Sequence, residues 1–106
     1  MKLYILNLCN LCFLVILILG IAANSTAVIS NDGKMPVYNT TYNFTSDTHF
    51  SYTDPDEIEN HLLTDIFKIG SRAWSIGDFM MIIGMLFLTV GVINLQVRLI
   101  KLENEW

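Results

Sequence analysis

Few residues in this chain of 106 are suited to covalent or acid–base chemistry. His49 and His61 each stand alone, without a second ligand for a metal or a nucleophile to activate. Cys9 and Cys12 form a C-x-x-C, but they lie in an aliphatic run rather than a βαβ setting, so a redox role is not implied. If that run is kept in the mature chain, the thiols become palmitoylation candidates. No Ser, His and carboxylate set, metal cluster or phosphate loop is present. The expectation is a protein that is not an enzyme, with no metal, no cofactor and no small-molecule substrate. The acidic balance, net charge −4, also argues against nucleic acid.

Two other kinds of residue carry chemistry of recognition. Asn24, Asn39 and Asn43 each begin an N-x-[ST] acceptor sequence, and three so close together point to N-glycosylation in the secretory pathway. Asp78 stands at the start of a long apolar run. It either caps a helix at headgroup level or is an intramembrane carboxylate that needs a Lys or Arg of a partner.

The elements that must position these residues follow from hydropathy. Residues 1–22 have a basic start, an aliphatic run from Leu11 to Ile21 and the small pair Ala22-Ala23, the pattern of a cleavable signal helix. Leu3 to Ala23 is also long enough to span a bilayer as an uncleaved anchor. Residues 23–53 read as a polar, glycosylated lumenal segment. Its alternation through Tyr38, Tyr42, Phe44, Phe50 and Tyr52 suits a weak hairpin turning at Ser46-Asp47, or a disordered stalk.

Residues 54–69 read as an amphipathic juxtamembrane helix. Asp54 is its N-cap, Pro55 its first residue and Glu57 the reciprocal half of a capping box. Ile58, Leu62, Ile66 and Ile69 recur at helical spacing as a lumenal docking face, and Gly70 ends or bends the helix. Residues 75–97 then form a transmembrane helix behind the interfacial Trp74, with 98–106 a short cytosolic tail. The fold class expected is therefore a mainly α membrane protein with a signal helix, a short polar ectodomain and one span.

The span carries its own pattern. Gly77, Gly84 and Gly91 are seven apart, so they line one face with a drift of about 20° per step. Such a stripe lets another backbone approach closely, and Leu88 and Asn94 complete a small–large groove beside it. This predicts an interface with an integral membrane protein partner, or with a second copy of the chain. The leading functional expectation is a small type I glycoprotein of the endomembrane system or cell surface, acting as accessory subunit of a pump, channel, transporter or receptor. The alternative is a self-associating membrane glycoprotein of viral type, or a pore former. Thr89, Asn94 and Asp78 do not share a face, which disfavours a polar lumen.

Overall fold

In the computed structural model, which describes residues 2–105, the chain is mostly helical. Helix α1 covers Leu3–Ile29 and helix α2 covers Ile76–Asn104. Both are long and apolar enough to cross a membrane, with mean hydropathy of 2.6 and 2.2 over their most apolar windows. They lie against each other as an antiparallel pair and give the molecule its elongated 64 × 25 × 21 Å shape. Met1 of the expected signal and Trp106 of the expected tail lie outside the described residues.

Helix α1 runs without a break through the expected signal boundary at Ala22-Ala23 and seven residues beyond Ala22, to Ile29. Its end is built by local chemistry. Asp32 and Gly33 take left-handed backbone (φ 61° and 86°), and the Gly33 N–H donates to the Val28 carbonyl at 2.9 Å. This six-to-one bond closes helices that end on a left-handed residue. Helix α2 begins with a capping box. The Ser75 hydroxyl accepts from the Asp78 N–H, the Asp78 carboxylate accepts from the Ser75 N–H, and both distances are 3.0 Å.

Between the helices sits a small head of short elements. Strand β1 (Met35–Tyr38) pairs in parallel with strand β2 (His49–Tyr52), and Val37 bridges to Asp65 on the other side. The strand tendency of this aromatic segment is realised, but the expected hairpin is reduced to a bridge between Thr45 and Phe50 around Ser46. The main partner of β2 is the more distant β1, because that pairing buries Tyr52 and Val37 beside the fully buried Thr64. The Tyr52 and Thr64 hydroxyls are 2.7 Å apart.

The expected helix over 54–69 does not form. Asp54 caps as anticipated, accepting from the Asp56 N–H at 3.0 Å, but it starts only a single 3-10 turn, Pro55–Glu57. Asn60 then turns left-handed (φ 53°), a second short turn spans His61–Leu63, and Asp65 joins β1. Strands β3 (Phe67–Ile69) and β4 (Arg72–Trp74) follow as an antiparallel hairpin turning on Gly70, so Gly70 neither ends nor bends a helix. Local helical spacing loses here to strand pairing, which satisfies the Asp65 backbone through Pro36 and Tyr38. The docking face dissolves as a result. Leu62 and Ile69 are 66% and 57% exposed, while Ile58 and Ile66 are half-buried, one after the first 3-10 turn and the other just before β3.

Asn31 ties this head to α1. Its buried amide donates to the Ala27 and Glu59 carbonyls, both at 2.8 Å, and accepts from the Glu59 N–H at 3.2 Å. Asn31→Ala removes these bonds and leaves the Glu59 carbonyl and N–H without the Asn31 amide. It should destabilise the head by about 1–3 kcal/mol, read as faster amide exchange at residues 54–60 with α2 protection unchanged.

Candidate functional site: the glycine seam and the polar cleft above it

The glycine face of α2 meets the chain's own N-terminal helix. Gly77, Gly84 and Gly91 are the buried residues of α2. A Cβ at Gly84 would stand 2.8 Å from the Leu17 amide nitrogen and 2.9 Å from its Cα. At Gly77 it would meet the Gly20 carbonyl at 2.7 Å and the Asn24 side chain, and at Gly91 the Asn10 side chain. In return, a Cβ at Gly20 of α1 would stand 2.8 Å from the Gly77 carbonyl and 2.9 Å from the Met81 nitrogen. The partner expected at the stripe is thus in the same chain.

The register is regular. Asn24 faces Gly77, Leu17 faces Gly84 and Asn10 faces Gly91, so the residues on α1 are also seven apart. A second heptad row on α1 holds Leu6, Phe13, Gly20 and Ala27, none of them exposed. Two seven-residue rows per helix are the pattern of a left-handed coiled coil, here with glycine in place of the usual large residue. Leu88 is half-buried on the matching row of α2, whereas Asn94 is exposed and turned away from the seam. Phe13 stacks on Phe87 with ring centroids 5.3 Å apart. The heptad of Asn10, Leu17 and Asn24 was legible in the sequence as the complement of the glycines.

At the loop end of the seam the helices are joined by polar atoms. Asn24 Nδ2 donates to Asp78 Oδ1 at 2.8 Å, and Asn24 Oδ1 accepts from the Ser75 hydroxyl at 2.6 Å. Asp78 is therefore a helix cap held by an amide of the other helix. No Lys or Arg pairs with it among the described residues. Beside it, Phe67, Trp74 and Phe79 form an aromatic cluster, with the Arg72 guanidinium 4.8 Å over the Trp74 ring. The cluster sits at the start of α2, on the side of the head.

The three acceptor asparagines sit in different surroundings. Asn24 spends both ends of its amide on Ser75 and Asp78 inside a helix. Asn39 is buried, with its carbonyl oxygen accepting from the Thr41 N–H at 2.9 Å. Only Asn43 of the three is exposed.

Above the seam lies a cleft of about 660 Å³, reached by Asn24, Asp78, Asp65, His49 and Arg72. Asp65, which no sequence motif marked, is 6% exposed, and its carboxylate lies 3.7 Å from His49 Nε2. Burial pushes the Asp65 carboxyl up to about 7, the Asp78 charge adds to the rise and Arg72 opposes it. Among the described residues no three His, Cys, Asp or Glu side chains are grouped to hold a metal. Cys9 is half-buried and Cys12 exposed on α1, both as free thiols. His61 is half-buried in its short turn.

The chain matches a family of unknown function, DUF5317, over residues 2–90, and it belongs to that family. No curated protein and no solved structure matches it.

Two predictions follow from the seam and the cleft. Gly84→Ala sets a methyl against backbone and should cost about 1–3 kcal/mol in unfolding from micelles followed by circular dichroism. Gly91→Ala meets only the Asn10 side chain, so adding Asn10→Ala should restore the loss, a rescue no side-chain change gives at Gly84. For Asp65, the raised folded value means that the folded state binds the extra proton. Its stabilisation is complete below the ordinary carboxylate range and is lost as pH rises through about 7. Melting temperature should fall between pH 5 and pH 8 (roughly the flanks of that titration), and Asp65→Asn should flatten the dependence.

Proposed function

We propose that this member of the DUF5317 family is a two-span membrane hairpin that works as a small, non-catalytic accessory subunit of a larger membrane complex. In this reading α1 is not removed as a signal but stays as the first span. The head between the helices lies on the lumenal or extracellular side, and both chain ends lie in the cytosol. Three facts support the retained helix. It supplies every close neighbour of the glycine face, its Asn24 completes the cap of α2, and the family match takes it in from residue 2.

The need for a complex comes from the outer surface. Only 11% of the most apolar window of either helix is buried, so the rest must meet lipid or protein. The observation that carries the subunit reading is Asn94. It stands exposed on this apolar face, within the segment expected to lie in the bilayer. An amide facing lipid is costly unless a neighbouring helix supplies its hydrogen bonds, which makes it the contact point for a partner span. Asn7 of α1 is exposed at the same depth by the register of the seam. Two such amides also suit pairing of two copies of the chain, the second reading.

Affinity purification of the full chain in mild detergent with mass spectrometry separates these readings, as a defined set of other membrane proteins or as copies of itself. Asn94→Leu should lower recovery of the partner about threefold, the value of an average interhelical hydrogen bond, without changing the hairpin. N-terminal sequencing is expected to start at or near residue 1. A mature chain starting after Ala22 or Ala23 would sink the two-span reading.

A further inference from the structure

Two carboxylates line the cleft above the seam, and only one of them is supplied with donors. Asp78 accepts from the Asn24 amide on one oxygen and from the Ser75 N–H on the other. Asp65 is the more deeply placed, with its side chain 8% exposed, yet among the described residues no N–H or O–H donates to its carboxylate. Its backbone is fully engaged with β1, donating to the Pro36 carbonyl and accepting from the Tyr38 N–H. The His49 Nε2 atom stands 3.7 Å from Oδ2, outside hydrogen-bond range. Buried polar groups are nearly always hydrogen-bonded, because an unmet one keeps its desolvation cost. The strand pairing that fixes Asp65 thus presents a bare acceptor to a cleft of about 660 Å³, the size of a small-molecule site.

The surroundings of that acceptor select what can meet it. An anion would face two carboxylates, Asp65 and Asp78. The cations that line the same cleft, Lys68 and Arg72, are exposed, and the Arg72 guanidinium rests on the Trp74 ring at 4.8 Å. A metal ion lacks a ligand set. Both Asp78 oxygens already accept, His49 Nδ1 lies 2.7 Å from the Thr48 hydroxyl, and among the described residues no three ligating side chains are grouped. An ammonium group needs only a carboxylate to donate to, and such charge-assisted bonds are the strong ones. Val28, Met35 and Val37 line the cleft as apolar wall, suited to the carbon stem that carries it.

We propose that this cleft binds a protonated primary amine, its ammonium donating to the Asp65 carboxylate and its carbon stem lying along Val28, Met35 and Val37. The site needs the head seated on the helix pair and no partner subunit, so it goes beyond the subunit reading. Binding has a proton balance. The empty Asp65 carboxyl holds its proton up to about 7, and the arriving ammonium keeps its own, so the carboxyl proton leaves to solvent. Affinity therefore rises with pH through about 7 and levels off above it. The other titratable or charged groups set around Asp65 are His49 and Tyr52 of β2, Lys68 of β3, Arg72 of β4 and Asp78 of α2. Two sources share the ligand chemistry, a soluble amine and the ethanolamine headgroup of a lipid.

The test follows melting of the full chain in non-ionic micelles by circular dichroism, with n-butylammonium, butyltrimethylammonium or n-butanol added. The first should raise the melting temperature by mass action. The second has charge but no N–H, the third has the stem but no charge, and both should do less. Asp65→Asn, close in shape to the protonated acid, should weaken butylammonium at least about tenfold, the value of one charge-assisted hydrogen bond. Asp56→Asn, the same change of charge on an exposed turn, should leave it as it is. Calorimetry in buffers of different ionisation enthalpy should show a proton released on binding at about pH 6 and none at about pH 8. His49→Gln should keep that release, which assigns it to Asp65. A parallel arm reconstitutes the chain in vesicles of phosphatidylcholine with phosphatidylethanolamine and reads bound lipid by native mass spectrometry. Preferential retention of phosphatidylethanolamine, lost on Asp65→Asn, supports the proposal with a lipid as source; butylammonium binding without that preference supports it with a soluble amine. Equal effects of butylammonium and butanol together with no lipid preference, binding unchanged by Asp65→Asn, or no proton release at the lower pH would each overturn it.

Discussion

Two helix backbones can run within van der Waals contact only where side chains are missing from the line of approach. In this chain that condition holds at Gly77, Gly84 and Gly91 on one helix and at Gly20 on the other, and everything else is arranged around it. The peptide groups of Leu17 and Gly20 occupy the space that Cβ atoms on α2 would need. Apolar packing between helices is weakly driven inside lipid, because lipid tails are as apolar as leucine. Close approach gains dispersion over many atom pairs at once, so the seam depends on contact rather than on burial from water.

The seam also sets the geometry of both ends. Because the helices are antiparallel and in strict heptad register, Asn24 arrives level with the first turn of α2. There it joins the capping box of Ser75 and Asp78 and converts a local cap into a bond between helices. The Asp78 carboxylate is thereby supplied with the Asn24 amide donor and the Ser75 backbone N–H, and no Lys or Arg pairs with it among the described residues. At the far end the same register sets the N-terminal Lys2 beside Arg98 and Lys101. One end of the hairpin carries the Asn24, Ser75 and Asp78 cluster, and the other mixes Lys2, Arg98 and Lys101 with Glu103 and Glu105.

The head illustrates a different balance. Each of its elements is three or four residues long and could not persist alone. What orders them is a set of specific attachments: Asn31 to Glu59, Tyr52 to Thr64, and Asp65 to the backbone of β1. Asp65 is buried as a consequence of that last pairing. Its altered titration is a by-product of where the strand must run, and it makes the head the pH-sensitive part of the molecule.

The chain on its own determined what depends on composition and short spacing. Two apolar runs of spanning length, the cap at Asp54 and the seven-residue glycine stripe are all properties of neighbouring residues. Cap or ion pair at Asp78 is not fixed by its neighbours, because the choice depends on Asn24, far away along the chain. Tertiary structure decided the rest. The stripe has no label saying whether the approaching backbone belongs to another protein or to residues 10–24 of the same chain, and only three-dimensional register answers that. The helical spacing of Ile58, Leu62, Ile66 and Ile69 was a true local pattern, yet it was overridden. The backbone of Asp65 forms better hydrogen bonds with β1 than the short amphipathic stretch could recover as an isolated helix, where nucleation is costly and no second surface is present to bury its apolar side.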